Sequence, residues 1–300
     1  LHLGDPVKQI SRVNKTITTH SGRQESYDKL ILATGSSAFV PSIPGTDKKG
    51  VFLYRTIEDL ELITAWSAKC RSAAVLGGGL LGLEAAKALV DLGIRDIHVV
   101  EFAPRLMPRQ IDGAGSDILT AKLAKLGVQI HTGVNTTRLL GEDRISALEF
   151  SDGTALETDM LVISAGIKPR DELALQCGLE TGPRGGIVVS ETMQTTDPDI
   201  YAIGECALFN GMIYGLIAPG YEMADTLVSD LTGRDKRFTG FDMSTKLKLI
   251  GIDVASFGDP FATGDQVRTI VMRDDHNGVY KRINISADGH YLLGGILVGD

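Results

Sequence analysis

Three glycines in the stretch AAVLGGGLLGLEAAKALVDLGIRDIHVVE have the spacing of a site that binds a pyrophosphate. Gly77, Gly79 and Gly82 form the pattern GxGxxG directly after an apolar strand pattern and directly before an amphipathic helix pattern. The first glycine permits a tight turn, the second lets a pyrophosphate approach the main chain, and the third lets the helix pack against the strand. The free amides and the positive end of the helix can then hold the phosphates.

An acidic residue follows these glycines at the position that such a site requires. Glu101 ends the next predicted strand, about 20 residues after the last glycine, and can accept hydrogen bonds from both hydroxyls of an adenosine ribose. Because its carboxylate would repel a 2′-phosphate, the sequence favours NADH over NADPH, although Arg105 in the following loop weakens that preference. A glycine-rich turn that only packs a helix would need neither this spacing nor the acid. We also assign to this predicted site Leu80, Leu81 and Gly166.

A second candidate lies in TTDPDIYAIGECA at residues 195–207, where an apolar strand pattern ends at Gly204 and Glu205. An acid at a strand end can bind a hydroxylated chain, and the helix predicted from about Pro219 to Leu231 can direct its N-terminus at a phosphate or a flavin carbonyl. By itself this pattern fits a structural strand followed by a solvated glutamate better, and only its pairing with the first motif favours binding. The predicted helix would bury a stripe made of Tyr221, Ala224, Leu227, Val228 and Leu231.

The elements that must position these residues alternate along the chain. From residue 73 to residue 167 the order is strand, helix, strand, helix and then three or four strands, which indicates a parallel sheet with crossover helices. Before this region, YDKLILATGS predicts a buried strand that ends at a glycine. Beyond Gly240, four strand patterns with the hairpin-like turns HNG and ADG predict a separate α+β piece. The connecting stretch IEDLELITAWSAK predicts a helix whose inward face is formed by Leu60, Ile63, Ala65 and Trp66.

Composition narrows the class of protein. With 300 residues, 43% apolar residues and 35 glycines, the chain is long enough for two or three folded domains. The net charge of −8 leaves no broad cationic face, which disfavours nucleic-acid and anionic-membrane partners. No apolar run reaches the roughly 18 residues that span a bilayer, and the first residues lack the features of a signal peptide, so we expect a cytoplasmic protein.

The cysteines and histidines exclude several kinds of redox or metal site. Cys70, Cys177 and Cys206 are too far apart for a CxxC pair or an iron–sulfur run. The six histidines show no HxxxH pattern and no Cys/His grouping, so the sequence predicts no metal site. A GxSxG elbow and a P-loop are absent too, which leaves hydrolase and kinase functions without support.

Five stretches, in this order, resemble the FAD-dependent pyridine-nucleotide-disulfide oxidoreductase superfamily: YDKLILATGS, GGGLLGLE, HVVEFAPRLMPRQID, VISAGIKPR and TTDPDIYAIGECA. Within it, IYAIGECALFNGMIYGLIAPGYEMA together with TKLKLIGIDVASFGD is similar to the large subunit of the NAD(P)H-dependent assimilatory nitrite reductases. The match covers essentially the whole chain. Most of the superfamily has Asp where Glu205 stands, and this GEC variant favours the nitrite-reductase branch.

The resemblance implies an α/β fold with two Rossmann-like, three-layer dinucleotide-binding domains, an NAD domain inserted in an FAD domain, and a small C-terminal α+β domain. On that mapping residues 1–70 and 169–240 are FAD-domain segments, residues 71–168 bind NAD(P)H, and residues 241–300 are the C-terminal domain. The family begins with its own GxGxxG strand for the FAD adenosine phosphates, which this sequence lacks. We therefore expect a fragment that is truncated in its first FAD segment and in its C-terminal domain.

The resemblance also implies roles for single residues. Gly204 and Glu205 match the position that contacts the ribityl chain of FAD. Glu84 matches the acid after the NAD glycines that lies near the nicotinamide amide and helps to orient it. The ATG segment that lies near the flavin in the family is matched by Ala33, Thr34 and Gly35.

The expected function is a flavoprotein oxidoreductase core that transfers a hydride from NAD(P)H to FAD for delivery to an acceptor domain or protein, with nitrite reduction as the favoured end point. Iron–sulfur and siroheme groups belong to a C-terminal part that this sequence does not contain, and a homodimer stays possible. A related enzyme, either an NADH-dependent rubredoxin or ferredoxin reductase or an NADH oxidase, shares every motif and is the alternative. A non-enzymatic NADH-sensing module is the second alternative.

Overall fold

The computed structural model describes residues 1–249 and 251–299 of the chain. Two units are formed: Leu1–Ser37 with Ile167–Met243, and Ala38–Gly166 with Ser244–Asp300. The first unit's N-terminal segment ends at residue 37, because the strand at residues 51–53 pairs within the second unit. The FAD-domain segment expected from the sequence, by contrast, extends to residue 70. Every helix in the described part of the chain is too short or too polar to span a bilayer.

The elements follow one another along the chain in three stretches. The first contains β1 (Val7–Ser11), β2 (Thr16–Thr19), β3 (Gln24–Ser26), β4 (Leu30–Leu32), β5 (Ser36–Ala38), β6 (Val51–Leu53), α1 (Ile57–Ser67), β7 (Ser72–Leu76), α2 (Leu80–Asp91), β8 (Asp96–Glu101) and α3 (Gly113–Lys125). The second contains β9 (Val128–Thr132), β10 (Thr136–Leu140), β11 (Ala147–Phe150), β12 (Ala155–Glu157), β13 (Leu161–Ile163), β14 (Ile167–Pro169), α4 (Glu172–Gln176), β15 (Ile187–Val188), β16 (Ile200–Ala202), β17 (Ala207–Leu208) and α5 (Ile217–Leu231). The third contains β18 (Thr245–Leu249), β19 (Ile252–Gly258), β20 (Val267–Asp274), β21 (Val279–Ser286) and β22 (Leu292–Val298).

The second unit is built on a parallel sheet with the strand order β6-β13-β7-β8-β9. Its inner strands are rich in Val, Ile and Ala and almost fully buried, as expected of a parallel sheet that is covered on both faces. Helices α2 and α3 pack on this sheet, and Leu83 and Leu89 of α2 share an apolar core with Val75 and Val99. The predicted order of strand, helix, strand and helix from residue 73 is therefore confirmed. Five strands, β9 to β13, follow α3 where three or four were predicted, and β10, β11 and β12 form a separate antiparallel sheet.

Helix α1 lies against the edge of this sheet, where it contacts β6. Its predicted inward face is only partly right, because Ile63 is buried and Trp66 is half-buried, whereas Leu60 and Ala65 are exposed. A three-residue edge strand covers only a narrow strip of the helix, so one row of side chains is buried and the rows beside it face solvent.

The C-terminal segment forms an antiparallel sheet with the order β18-β19-β22-β21-β20. Its described residues, 244–249 and 251–299, contain strands and no helix, which differs from the α+β piece that the sequence predicts. The sheet is also not separate, because β21 and β22 contact α3, and Tyr280, Ile296 and Val298 belong to the apolar core of the parallel sheet. Turn patterns show where hairpins form along the sequence. Which face of the sheet packs against α3, however, depends on side chains that are far away in the chain.

In the first unit, β4 and β16 pair in parallel, with Leu32 beside Ala202 at their carboxyl ends. Helix α5 begins at Ile217, slightly before the predicted start. The predicted stripe on α5 is wrong at Tyr221, Val228 and Leu231, which are exposed, while Leu227 is buried and Ala224 is half-buried. The row of α5 that packs on the core contains Pro219, Met223, Thr226, Leu227 and Ser229, because Met223 and Leu227 join the apolar cluster of β4 and β16.

Candidate functional site

The turn after β7 has the shape that its glycines allow. Gly77 has φ +122°, and a Cβ built on it would lie 2.2 Å from the carbonyl oxygen of Ser164. A Cβ on Gly82 would lie 1.9 Å from the carbonyl oxygen of Gly77. Both contacts are too short for any side chain, so these two positions require glycine. A Cβ on Gly79 would meet no atom within 4 Å, so the outer side of the turn is open.

Helix α2 begins at this open side. Gly79 is the N-cap and makes no side-chain capping hydrogen bond. The amides of Leu80, Leu81 and Gly82 lie in the first turn, where an α-helix provides no intrahelical acceptor. Amides of this kind, together with the positive end of the helix, suit an anion that approaches from the side of Gly79. The structure thus brings the predicted glycines and both predicted leucines together at one helix end.

Glu101 ends β8 and turns its carboxylate toward the glycine turn. Oε2 accepts a hydrogen bond of 2.6 Å from the Gly78 amide, and Oε1 accepts one of 2.7 Å from the Ala103 amide. Two main-chain donors therefore orient the carboxylate. A carboxylate has about four acceptor directions on its two oxygens, so each oxygen retains one for a further donor such as a ribose hydroxyl.

The loop after Glu101 does not leave Arg105 free. Its Nε donates to the carbonyl oxygen of Ile111 at 3.1 Å, and its Nη2 donates to that of Pro108 at 3.2 Å. The guanidinium is half-buried and closes its own loop. The weakening of the NADH preference that the sequence assigns to Arg105 therefore has no support in its hydrogen bonds.

Glu84 and Gly166 lie in the same unit as the glycine turn. Glu84 is exposed on α2 and lies near Tyr54, the residue after β6. Burial, and then the Glu84 carboxylate, raise the pKa of the Tyr54 phenol. Gly166 follows β13 with φ +111° and open space on its Cα, so the main chain is uncovered there.

Ser164 lies between β13 and Gly166, beside Gly77. Its hydroxyl oxygen is buried and has no hydrogen-bond partner in the part of the chain that the structure describes. Strands β7 and β13 are parallel neighbours, so their carboxyl ends meet at the same edge of the sheet. The Ser164 hydroxyl thus lies at the same sheet edge as the glycine turn.

The predicted flavin residues lie at two adjacent strand ends of the first unit. Ala33, Thr34 and Gly35 follow β4, and Gly204 and Glu205 follow β16, which pairs with β4 in parallel. The Ser36 hydroxyl donates to Oε2 of Glu205 at 2.6 Å, and the Thr34 hydroxyl donates to the Arg170 carbonyl at 2.5 Å. The structure therefore brings together residues 33–35 and 204–205, which are far apart in the sequence.

Helix α5 directs its start at the same strand ends. A Cβ on Gly220 would lie 3.9 Å from Cα of Gly204, and a Cβ on Gly215 would lie 3.4 Å from Oε1 of Glu205. Gly204 has φ +75° with open space on its Cα. The start of α5 lacks a side-chain cap, and Pro219 has no N–H, so the amides of Ile217 and Ala218 are the first-turn donors that suit an acceptor on a ligand.

Three residues near these sites are not among those predicted from the sequence. Ser36 follows the ATG segment, Tyr54 follows a short apolar run, and Ser164 precedes AGIKP. Only the pattern of a polar residue directly after a strand could have indicated them. That pattern is too common in sequences to select a site without the strand order.

The family model described as pyridine nucleotide-disulphide oxidoreductase matches residues 1–227. The chain belongs to this family. A second model, described as the rubredoxin NAD+ reductase C-terminal domain, matches residues 244–300. The resemblance predicted from the sequence is confirmed, and so is a mixed α/β fold followed by a C-terminal domain.

Two individual relatives carry the name nitrite reductase, which is the branch that the sequence favours. The nitrite reductase (NADH) large subunit of Escherichia coli K12 is 48% identical over 300 residues, which cover 99% of this chain and 35% of that protein. The NAD(P)H nitrite reductase of Bacillus subtilis is 41% identical over 301 residues, which cover 100% of this chain and 37% of that protein. This chain spans about a third of the length of these relatives. The ferredoxin reductase structure from Rhodopseudomonas palustris has a TM-score of 0.86 at 27% identity and covers 99% of this chain and 73% of that one.

Proposed function

We propose that this chain is the NADH-oxidising core of a larger nitrite reductase subunit, which binds NADH at the glycine turn and passes its electrons through FAD to an acceptor. The observation that carries the proposal is the Glu101 carboxylate, held by the Gly78 amide beside a turn whose outer side is open. The nitrite reductase large subunit at 48% identity and the nitrite reductase at 41% identity support the same proposal.

The residues at the glycine turn fit NADH. The pyrophosphate would lie over Gly79 against the amides of Leu80 and Leu81, and Glu101 would accept from the ribose hydroxyls. Arg105 donates to main-chain carbonyls of its own loop, so its guanidinium is not directed to a 2′-phosphate, which supports NADH over NADPH. We assign the orientation of the carboxamide to Glu84.

The residues at the strand ends of the first unit fit the flavin part of FAD. Gly35 and Gly204 leave space on their Cα atoms, and Glu205, oriented by Ser36, would accept from ribityl hydroxyls. The α5 amides would face a flavin carbonyl or a phosphate. With both cofactors bound, the nicotinamide supplies a hydride that the flavin accepts, and the chain contributes orientation and the exclusion of water.

The first experiment measures NADH binding to the purified chain by isothermal titration calorimetry, which does not depend on flavin. We expect a single site that weakens when Glu101 is replaced by Ala. Glu157→Ala is the matched control, since Glu157 is an exposed acid on β12 of the same unit. Wild-type protein that releases no heat with NADH, or an equal loss in both variants, would overturn the proposed site.

The second experiment supplies FAD and follows the absorbance of oxidised flavin in a stopped-flow instrument after NADH is added. Bleaching supports electron transfer, whereas NADH binding without bleaching would favour the sensing module. The full-length protein that contains this chain should then oxidise NADH in a nitrite-dependent manner. Its cytoplasmic location, a homodimer and iron–sulfur or siroheme groups outside this chain stay predictions.

One observation favours a second candidate function. The C-terminal segment matches the rubredoxin NAD+ reductase C-terminal domain, and the rubredoxin-NAD(+) reductase of Pseudomonas putida is 33% identical over 72% of this chain. On this alternative, the electrons leave to a small redox protein. Fast NADH-dependent reduction of rubredoxin, with no reduction of nitrite by the full-length protein, would favour it.

A further inference from the structure

Asp112 joins the start of α3 to the C-terminal sheet. It is the N-cap of α3, and its Oδ1 accepts a hydrogen bond of 3.0 Å from the Gly115 amide. Its Oδ2 accepts from the Tyr280 hydroxyl at 2.6 Å and from Nη1 of Arg282 at 3.0 Å. The side chains of Asp112 and Arg282 are only 18% and 17% exposed, so water screens this pair weakly. Three donors from two elements thus hold one carboxylate.

The loop between Glu101 and Asp112 is in contact with the glycine turn. The Met107 amide donates to the Gly78 carbonyl at 2.9 Å, and Met107 is fully buried with φ +47°. The side chain of Leu106, also fully buried, lies so close to Gly78 that a Cβ there would be 2.6 Å from it. Gly78 in turn donates its amide to Glu101.

These contacts form one connected path. Arg282 and Tyr280 hold Asp112, Asp112 ends the loop, and the loop holds Gly78 through Met107. The Leu106 amide adds a second tie, a hydrogen bond of 3.0 Å to the Ser116 hydroxyl inside α3. A shift at Asp112 would therefore be passed to Gly78, within the turn at which we propose that NADH binds.

We propose that Tyr280 and Arg282 of the C-terminal sheet are positioning residues for NADH, which act through Asp112 and the loop of residues 102–111 on the glycine turn. This inference rests on the proposed NADH site and adds to it. The C-terminal sheet then contributes to NADH binding. Among the described residues, neither Tyr280 nor Arg282 forms a side-chain hydrogen bond to the glycine turn itself.

A second ion pair between the same sheet and α3 provides a matched control. Arg273 of β20 lies 3.6 Å from Asp117 of α3, with the two side chains 39% and 69% exposed. Asp117 lies inside the helix and makes no hydrogen bond to the loop of residues 102–111 among those described. Removing this ion pair weakens the packing of the sheet on α3 but leaves the contacts of Asp112 in place. It therefore tests whether sheet packing alone affects NADH binding.

The test compares Arg282→Met, Arg282→Lys, Tyr280→Phe and Arg273→Met in the full chain, with the NADH dissociation constant measured by calorimetry. We expect Arg282→Met to raise this constant about fivefold and Tyr280→Phe about threefold, typical of a change along a coupled network. Arg282→Lys should restore part of the affinity, and Arg273→Met should leave it unchanged. Hydrogen exchange of the Met107 amide should be faster in Arg282→Met and unchanged in Arg273→Met.

Arg282→Met and Tyr280→Phe, assayed with FAD and NADH, should show a higher KM for NADH at an unchanged kcat, which a general loss of structure would not produce, whereas Arg273→Met should leave both constants unchanged. An unchanged dissociation constant in folded Arg282→Met, or an equal rise in Arg273→Met, overturns the inference and leaves the NADH site in place. Should Arg282→Met fail to fold, Tyr280→Phe decides, because it removes one oxygen only. Wild-type protein that binds no NADH overturns both proposals.

Discussion

Replacement of Glu101 by Ala should change the choice between NADH and NADPH. The carboxylate is held by two main-chain amides and has one acceptor direction left on each oxygen. Hydrogen bonds to a charged acceptor contribute ~1.5 to 3 kcal/mol each, so the loss of even one of the two ribose hydrogen bonds should cost about 2 kcal/mol, or about 30-fold in the NADH dissociation constant. For NADPH the same change also removes a repulsion with the 2′-phosphate, which offsets the loss.

The ratio of the two dissociation constants is the decisive quantity. Loss of Glu101 also frees the Gly78 and Ala103 amides, which loosens the loop and weakens both nucleotides alike, so this effect cancels in the ratio. Calorimetry with NADH and NADPH on wild type and Glu101→Ala should show a ratio shifted by about 30-fold toward NADPH. Arg105→Ala should leave the ratio unchanged, because the guanidinium is bound to main-chain carbonyls. A ratio unchanged in Glu101→Ala would refute the assignment of the carboxylate to the ribose.

Two other predictions concern the glycine turn and a histidine. Gly82→Ala should lower the free energy of unfolding by at least about 3 kcal/mol, because its methyl would lie 1.9 Å from a carbonyl oxygen. Gly79→Ala should instead fold normally and weaken NADH binding about tenfold. Equal unfolding midpoints in urea for Gly82→Ala and Gly79→Ala would contradict this difference in stability. Burial, and then the nearby His98, lower the pKa of His131 below its ordinary value of 6.5. The unfolded chain therefore binds more protons, so stability should fall as pH drops below 6.5, and His131→Gln, but not the exposed His290→Gln, should reduce this fall in urea unfolding series.

Local spacing explains how much of the site could be predicted. The role predicted for each glycine of the turn and for Glu101 depends on residues within one strand-turn-helix-strand unit, so the sequence pattern alone indicates it. The structure agrees in detail, since Gly77 and Gly82 leave no room for a side chain whereas Gly79 is open. Arg105 shows the limit, because nearness in sequence to Glu101 does not reveal that its guanidinium closes its own loop.

The sequence by itself determined the family, the alternation of strands and helices over residues 73–167, and the dinucleotide motif, because all three depend on residue order and short-range periodicity. Only the tertiary structure decided that residues 38–70 join the second unit, that α5 exposes Tyr221, and that Arg282 reaches Asp112. These outcomes depend on which surfaces meet across long stretches of chain. A one-dimensional pattern shows which side chains can be buried, but the partner that buries them, or the carboxylate that they bind, is selected by packing in three dimensions.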